Sequence, residues 1–116
     1  MSYSIDATIE KMSDRSCDSM IVTFPEETVW KLLGFITGLQ VHRMKAFVIR
    51  GASAEITVSS DAISIQLPDR RIEKRLTQDM YESFVCCCFD KAFDVYPEPH
   101  VDLEFDDLDM TFGWFH

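Results

Sequence analysis

Asp102, Glu104 and Asp106 stand at every second position near the end of the chain, and an acid-x-acid-x-acid run is how a calcium loop begins. An EF-hand loop then needs glycine at its sixth position, for the sharp turn, and a bidentate glutamate at its twelfth. Counted from Asp102, those places hold Asp107 and Gly113. The EF-hand pattern fails, and no metal site is expected.

The run Cys86-Cys87-Cys88 in FVCCCFDKAF is the second group with chemical potential. Successive helical residues point about 100° apart. Three neighbouring thiolates therefore cannot converge on one zinc ion. Cysteine packs readily as a small apolar side chain, and that is the expected use here. Cys87 is the place for a reactive thiol, because Lys91 lies one turn on and a nearby cation favours thiolate. With Cys17 the chain has four cysteines, whose spacing is unlike a disulfide scaffold and suits a reducing compartment.

Nucleophilic catalysis needs a nucleophile, a base and a group that orients the base. His42, His100 and His116 are the available imidazoles, and none sits in a recognisable catalytic context. His42 reads as a loop residue and His100, after a proline, as a strand-entry residue. The glycine-rich phosphate loops GxGxxG and GxxxxGK[ST] are absent. No enzyme activity and no cofactor are expected. A small enzyme using a cysteine or a carboxylate pair stays as the alternative, since paired acids meet only in space.

Charge says more. The net charge is −9, and residues 92–116 hold seven acids with no Lys or Arg, while residues 1–91 carry 13 acids against 11 bases. Phosphate contacts require a basic surface, so direct nucleic-acid binding is disfavoured. Complementary charge speeds encounter and selects partners, so a basic protein surface fits better. The longest apolar run, residues 29–41, is interrupted by Lys31, Gly34, Thr37, Gly38 and Gln40 and is too short to span a bilayer. With early acids and no apolar core at its start, the chain is expected to be soluble and cytoplasmic.

These residues need elements to position them. A chain of 116 residues can build one real hydrophobic core, so residues 1–116 are expected to form a single α+β domain. Tyr3, Ile5, Ala7 and Ile9 alternate with polar residues and predict one half-buried strand; residues 11–18 read as a polar loop and residues 20–24 as a second strand. Thr23 and Glu26 have capping-box spacing before Pro25 and a helix whose Val29, Leu32, Leu33, Ile36 and Leu39 share one face. Trp30 and Phe35 widen that face. Gly34 and Gly38 predict close packing on the sheet, with Gly38 near the helix end. Three β-rich runs follow from Lys45 with short turns, predicting an antiparallel meander; in residues 71–76 Ile72 and Leu76 fit a helical face, while Ile72, Lys74 and Leu76 fit a strand face, and a strand hairpinned onto AISIQL is expected. Thr77 is placed to cap a second helix, about 78–94, with Phe84, Val85, Cys88, Phe89 and Phe93 in its apolar stripe. The expected architecture is an antiparallel sheet with two main helices on one face and a C-terminal hairpin.

That hairpin comes from parity. Val101, Leu103 and Phe105 share one parity, Leu108, Met110, Phe112 and Trp114 the other. A two-residue turn at Asp106-Asp107 pairs Phe105 with Leu108, Leu103 with Met110 and Val101 with Phe112, with all six on one face. Asp102, Glu104, Asp109 and Thr111 then lie on the other. Asp-Asp does not suit a type I′ turn, which wants positive φ, so a longer turn or a bulge stays open. Arg70, Arg71, Lys74 and Arg75 can neutralise part of the acidity, in which case the strip is a solvated sheet exterior.

In short length, acidity and the DLEFDDLD segment beside the aromatic end FGWF, the chain resembles small acidic bacteriophage-encoded inhibitors of the anti-CRISPR type. The likeness covers composition over the whole chain and no specific motif, so no residue role is carried over by it. It implies a stoichiometric inhibitor, working in the host cytoplasm, that covers a basic nucleic-acid-binding or docking surface of a host protein such as a CRISPR–Cas nuclease or effector subunit. Toxin-neutralising immunity proteins share the profile. The residues expected to bind a partner are Asp102, Glu104, Asp106, Asp107 and Asp109, with Trp114 or Phe115 as aromatic anchor, a residue type enriched at interface hot spots. No membrane contact is expected, and the chain is expected to be a monomer or a homodimer. An oligomer in which the basic 70–75 segment meets a neighbour's acidic end is the bland reading.

Overall fold

The computed structural model describes residues 3–13, 18–96 and 98–115. The opening alternation does not make one strand. It makes two, β1 (Ser4–Asp6) and β2 (Thr8–Ser13), in different sheets. The break is at Ala7, whose N–H donates to the Arg50 carbonyl at 2.9 Å before the chain crosses over. Period two continues through the crossing, so the pattern alone cannot reveal it.

The first sheet has the order β1-β4-β5-β6-β7, with β4 (Phe47–Arg50), β5 (Glu55–Val58), β6 (Ala62–Gln66) and β7 (Arg71–Arg75). β4 to β7 form the expected antiparallel meander, while β1 joins β4 in parallel. The second sheet has the order β2-β3-β9-β8, with β3 (Asp18–Thr23), β8 (His100–Glu104) and β9 (Leu108–Gly113). Here β3 and β9 run parallel. The expected single antiparallel sheet is thus corrected to two mixed sheets. Each closes by a parallel pairing between strands far apart in sequence, which local turn signals do not encode.

Two helices cover the inner faces. α1 (Val29–Gln40) is preceded by a 3-10 turn at Glu26–Thr28, and α2 spans Gln78–Ala92. The expected capping box is not formed: Thr23 ends β3, and Pro25 occupies the N-cap of the turn with no side-chain bond. Thr77 does cap α2, accepting from the Met80 N–H at 3.2 Å. The helices are antiparallel, since Tyr81 near the start of α2 donates its hydroxyl to the Ile36 carbonyl at 2.7 Å, while Lys91 near its end meets Glu26. Phe35 of α1 packs on Phe47 of the first sheet, with centroids 5.4 Å apart, and Phe84 of α2 on Phe112 of the second at 5.1 Å. The buried side chains form one cluster that includes Phe24, Phe47, Ile56, Met110, Phe112 and Trp114. Burying one such side chain is worth about 1.5–3 kcal/mol.

Both helices end on a left-handed residue that is not glycine, His42 (φ 59°) and Asp94 (φ 53°). Gly38 is not the stop; it lies inside α1 under the Met44 side chain, which a Cβ would meet at 2.9 Å. Gly34 packs against nothing: the space beside it is open. Among the described residues, no helix is long and apolar enough to cross a membrane.

Candidate functional site

The C-terminal hairpin has the expected register: Val101 opposite Phe112, Leu103 opposite Met110, and Phe105 donating to the Leu108 carbonyl at 2.8 Å. Its turn holds only Asp106 and Asp107, and neither has positive φ. The turn is therefore not type I′. It is held from outside instead. Lys74 of β7 pairs with the Asp107 carboxylate, and Asp18 N–H donates to the Asp107 carbonyl at 3.2 Å. The Lys74 hydrogen bond holds the Asp107 carboxyl below its ordinary range. Arg70 turns away to Asp18, at 3.1 Å. The basic segment thus pairs with the turn and with Asp18 at the start of β3, and among the described residues it makes no ion pair with Asp102, Glu104 or Asp109.

Pairing across the second sheet assembles its outward face in rows. One row is Glu10, Ile21, Thr111 and Asp102; the next is Met12, Ser19, Asp109 and Glu104; the third is Thr8, Thr23, Gly113 and His100. Ile21, Thr23 and Thr111 are half-buried and floor a depression of about 560 Å³. Glu10 and Asp102 stand on opposite sides of it, about 14 Å apart at three strand spacings. Thr111 donates its hydroxyl to Asp102 at 2.7 Å, fixing that carboxylate over the sheet. His100 is 3.9 Å from the other Asp102 oxygen. Glu104 and Asp109 sit directly opposite each other, a repulsive cross-strand pair. Among the described residues, no Lys or Arg pairs with Glu10, Asp102, Glu104 or Asp109.

Two anchor candidates part company. Trp114 is fully buried, with its ring against Phe24 and its indole N–H donating to the Pro25 carbonyl at 3.2 Å. It belongs to the core and offers a partner nothing. Phe115 is half-buried and folds back over Gly113, where a Cβ would meet its ring at 2.9 Å. It walls the depression beside His100, at 6.0 Å between centroids. Of the sequence-predicted acids, Asp102, Glu104 and Asp109 share the face, Asp106 lies exposed at the turn, and Asp107 is engaged by Lys74.

Glu10, Met12 and Ile21 come to this face from β2 and β3, and sequence reasoning missed them. The alternation in residues 3–10 does place Glu10 opposite the apolar set, but only the parallel β3–β9 pairing carries it beside the hairpin. Carboxylates also continue round the β8 edge. A second depression, about 700 Å³, lies between α2 and β8 and is lined by Asp79, Glu82, Asp90, Cys86, His100 and Asp102.

The thiols separate clearly. Cys86 is exposed, whereas Cys87 and Cys88 are buried. Burial, then Asp90 and Cys86, push the Cys87 thiol up to about 12, and burial pushes Cys88 well up too. The expected helper, Lys91, instead holds Glu26, 2.9 Å from both carboxylate oxygens. Cys87 is thus corrected from candidate nucleophile to core residue; a thiolate there is suppressed. Among the described residues no hydrogen bond joins Cys86 to His100, and no group of three His, Cys, Asp or Glu side chains is arranged to hold a metal ion. Cys17 and His116 lie outside the described residues.

Comparison with known proteins found no matching family model, no similar curated protein and no similar solved structure.

Proposed function

We propose that this chain is a non-catalytic, protein-binding inhibitor whose acidic outer sheet face covers a basic surface of another protein. The observation that carries this reading is the face built by Glu10, Asp102, Glu104 and Asp109 around Ile21, Thr23 and Thr111, where no Lys or Arg among the described residues pairs with these acids. An apolar and β-branched floor inside a charged rim is the anatomy of a protein interface. The carboxylates meet Lys and Arg that would otherwise hold phosphates, and Phe115 adds an aromatic edge. The likeness in composition to phage anti-CRISPR inhibitors supports a target of that kind, a basic nucleic-acid-binding or docking surface of a host defence protein in the cytoplasm. The test is capture from bacterial lysate with the wild-type chain and with Asp102→Lys/Glu104→Lys/Asp109→Lys as paired baits. The reading expects a basic protein held at near one-to-one ratio by the first bait and lost from the second.

A second reading, an enzyme, is favoured by one observation: Cys86, His100 and Asp102 line a single depression. Turnover separates the two, since an inhibitor acts near equimolar ratio and an enzyme at trace ratio. Loss of effect in Cys86→Ser, with the acidic face intact, would favour the enzyme.

A further inference from the structure

The exposed side of the helix pair carries aromatic residues that the sequence pattern assigned to the core. Trp30 is 59% exposed, Phe93 55% and Phe89 50%. They touch one another in a continuous ridge across the two helices. Trp30 meets Phe93 edge-on with centroids 5.4 Å apart, and Phe93 meets Phe89 at 4.6 Å. Gly34 lies one helical turn beyond Trp30 on the same side, and the space beside it is open. Lys31 is the one charged residue in the twelve of α1. A helix exposed to water normally shows a polar outer stripe, and one that is apolar nearly all round is normally covered. A contiguous exposed apolar patch with a polar rim marks a contact surface.

The rim says what covers it. Glu27, one turn before Trp30, and Asp94, next to Phe93, flank the ridge, and among the described residues no base pairs with them. Lys91 is held by Glu26, and Lys31 lies over the Phe35 ring at 5.8 Å. A second copy laid face to face would set acids against acids, and an anionic membrane would be repelled. We infer that the Trp30–Phe93–Phe89 ridge docks a cationic amphipathic helix of a partner protein. The apolar side of that helix covers the three rings, and its Lys or Arg residues meet Glu27 and Asp94. Aromatic residues in a ring of charge are the composition of an interface hot spot, and laying a helix along two others is a common recognition mode. The ridge is separate from the acidic sheet face.

The probe is a synthetic Leu/Lys amphipathic helix of roughly 18 residues, enough to run the length of α2, with a Leu/Glu peptide as control. Trp30 is the reporter, because Trp114 is already fully buried. Expected are a saturable blue shift at one-to-one ratio with the cationic peptide and no response to the anionic one. Binding should weaken at least about tenfold in Phe93→Ser and also in Glu27→Lys/Asp94→Lys, which alters no packed residue. Asp102→Lys/Glu104→Lys/Asp109→Lys should leave the blue shift unchanged, which separates this surface from the sheet face. Equal binding of both peptides, or no effect of either helix variant, would overturn the inference. So would a wild-type dimer that Phe93→Ser converts to monomer, or docking onto anionic vesicles in place of the peptide.

Discussion

The Trp114 indole N–H reaches the carbonyl of Pro25 at 3.2 Å, tying the residue after the last strand to the residue that opens the 3-10 turn leading into α1. The aromatic end of the chain is therefore a core clasp. Trp114→Phe keeps most of the ring and loses one hydrogen bond to a carbonyl that still accepts from the Thr28 N–H and hydroxyl, and should cost about 1 kcal/mol in urea denaturation. Trp114→Ala should cost about 3–5 kcal/mol. Phe115→Ala, on the surface, should cost under about 1 kcal/mol.

Glu104 and Asp109 face each other across β8 and β9 on the outer surface. Like charges directly opposite destabilise a sheet, so Asp109→Lys should raise stability by about 0.5–1 kcal/mol while removing a docking carboxylate. A chain that keeps a repulsive pair for binding should show this opposition between stability and affinity. A higher urea midpoint with weaker partner binding is the expected pair of results.

Cys87 sits pushed up to about 12 from an ordinary 9.0, and Tyr81 up to about 12 from 10.0, both mainly by burial. In the fold these groups keep their protons where the unfolded chain has begun to lose them. The unfolded state then binds fewer protons, so stability should fall as pH rises above about 9. Thermal melts under reducing conditions read this directly, and Cys87→Ala should flatten the alkaline fall. In a Cys17→Ser background, a thiolate-directed reagent should label Cys86 in the native state and reach Cys87 and Cys88 only after unfolding.

His42 holds φ at 59° just after α1, and Asp94 holds 53° just after α2. Glycine adopts this region freely, so His42→Gly should stabilise by about 1 kcal/mol. Asp94→Gly should gain slightly more, because it also removes a negative charge from a helix C-terminus. Gly34→Ala, into open space on α1, should add about 0.5–1 kcal/mol.

Local pattern made some of this legible. The parity change at Asp106-Asp107 is enough to give the hairpin and its outward acids, and Thr77 is enough to start α2. Pattern fails where the determinant is a distant partner. Residues 3–10 keep period two while Ala7 carries the chain from one sheet to the other. The parallel pairing of β3 with β9 leaves no turn signal, so Glu10 and Ile21 could not be placed beside Asp102. Trp114 shares the inward parity of Leu108, Met110 and Phe112, and the structure buries it with them; its place as an anchor candidate came from its residue type, and the contacts with Phe24 and Pro25 that hold it in the core are not local. Trp30, Phe89 and Phe93 failed for the opposite reason: they are apolar at core-like spacing, yet the two helices meet so that all three face outward.

The central claim is that the carboxylates of the second sheet bind a basic protein surface. Its most direct test is calorimetric titration of the purified captured partner with the wild-type chain and with Asp102→Lys/Glu104→Lys/Asp109→Lys, each first shown to melt cooperatively. At a coupling of about 1–1.5 kcal/mol per lost charge pair, the account predicts affinity weaker by about 100- to 1,000-fold for the variant. Unchanged affinity in a folded variant would contradict it.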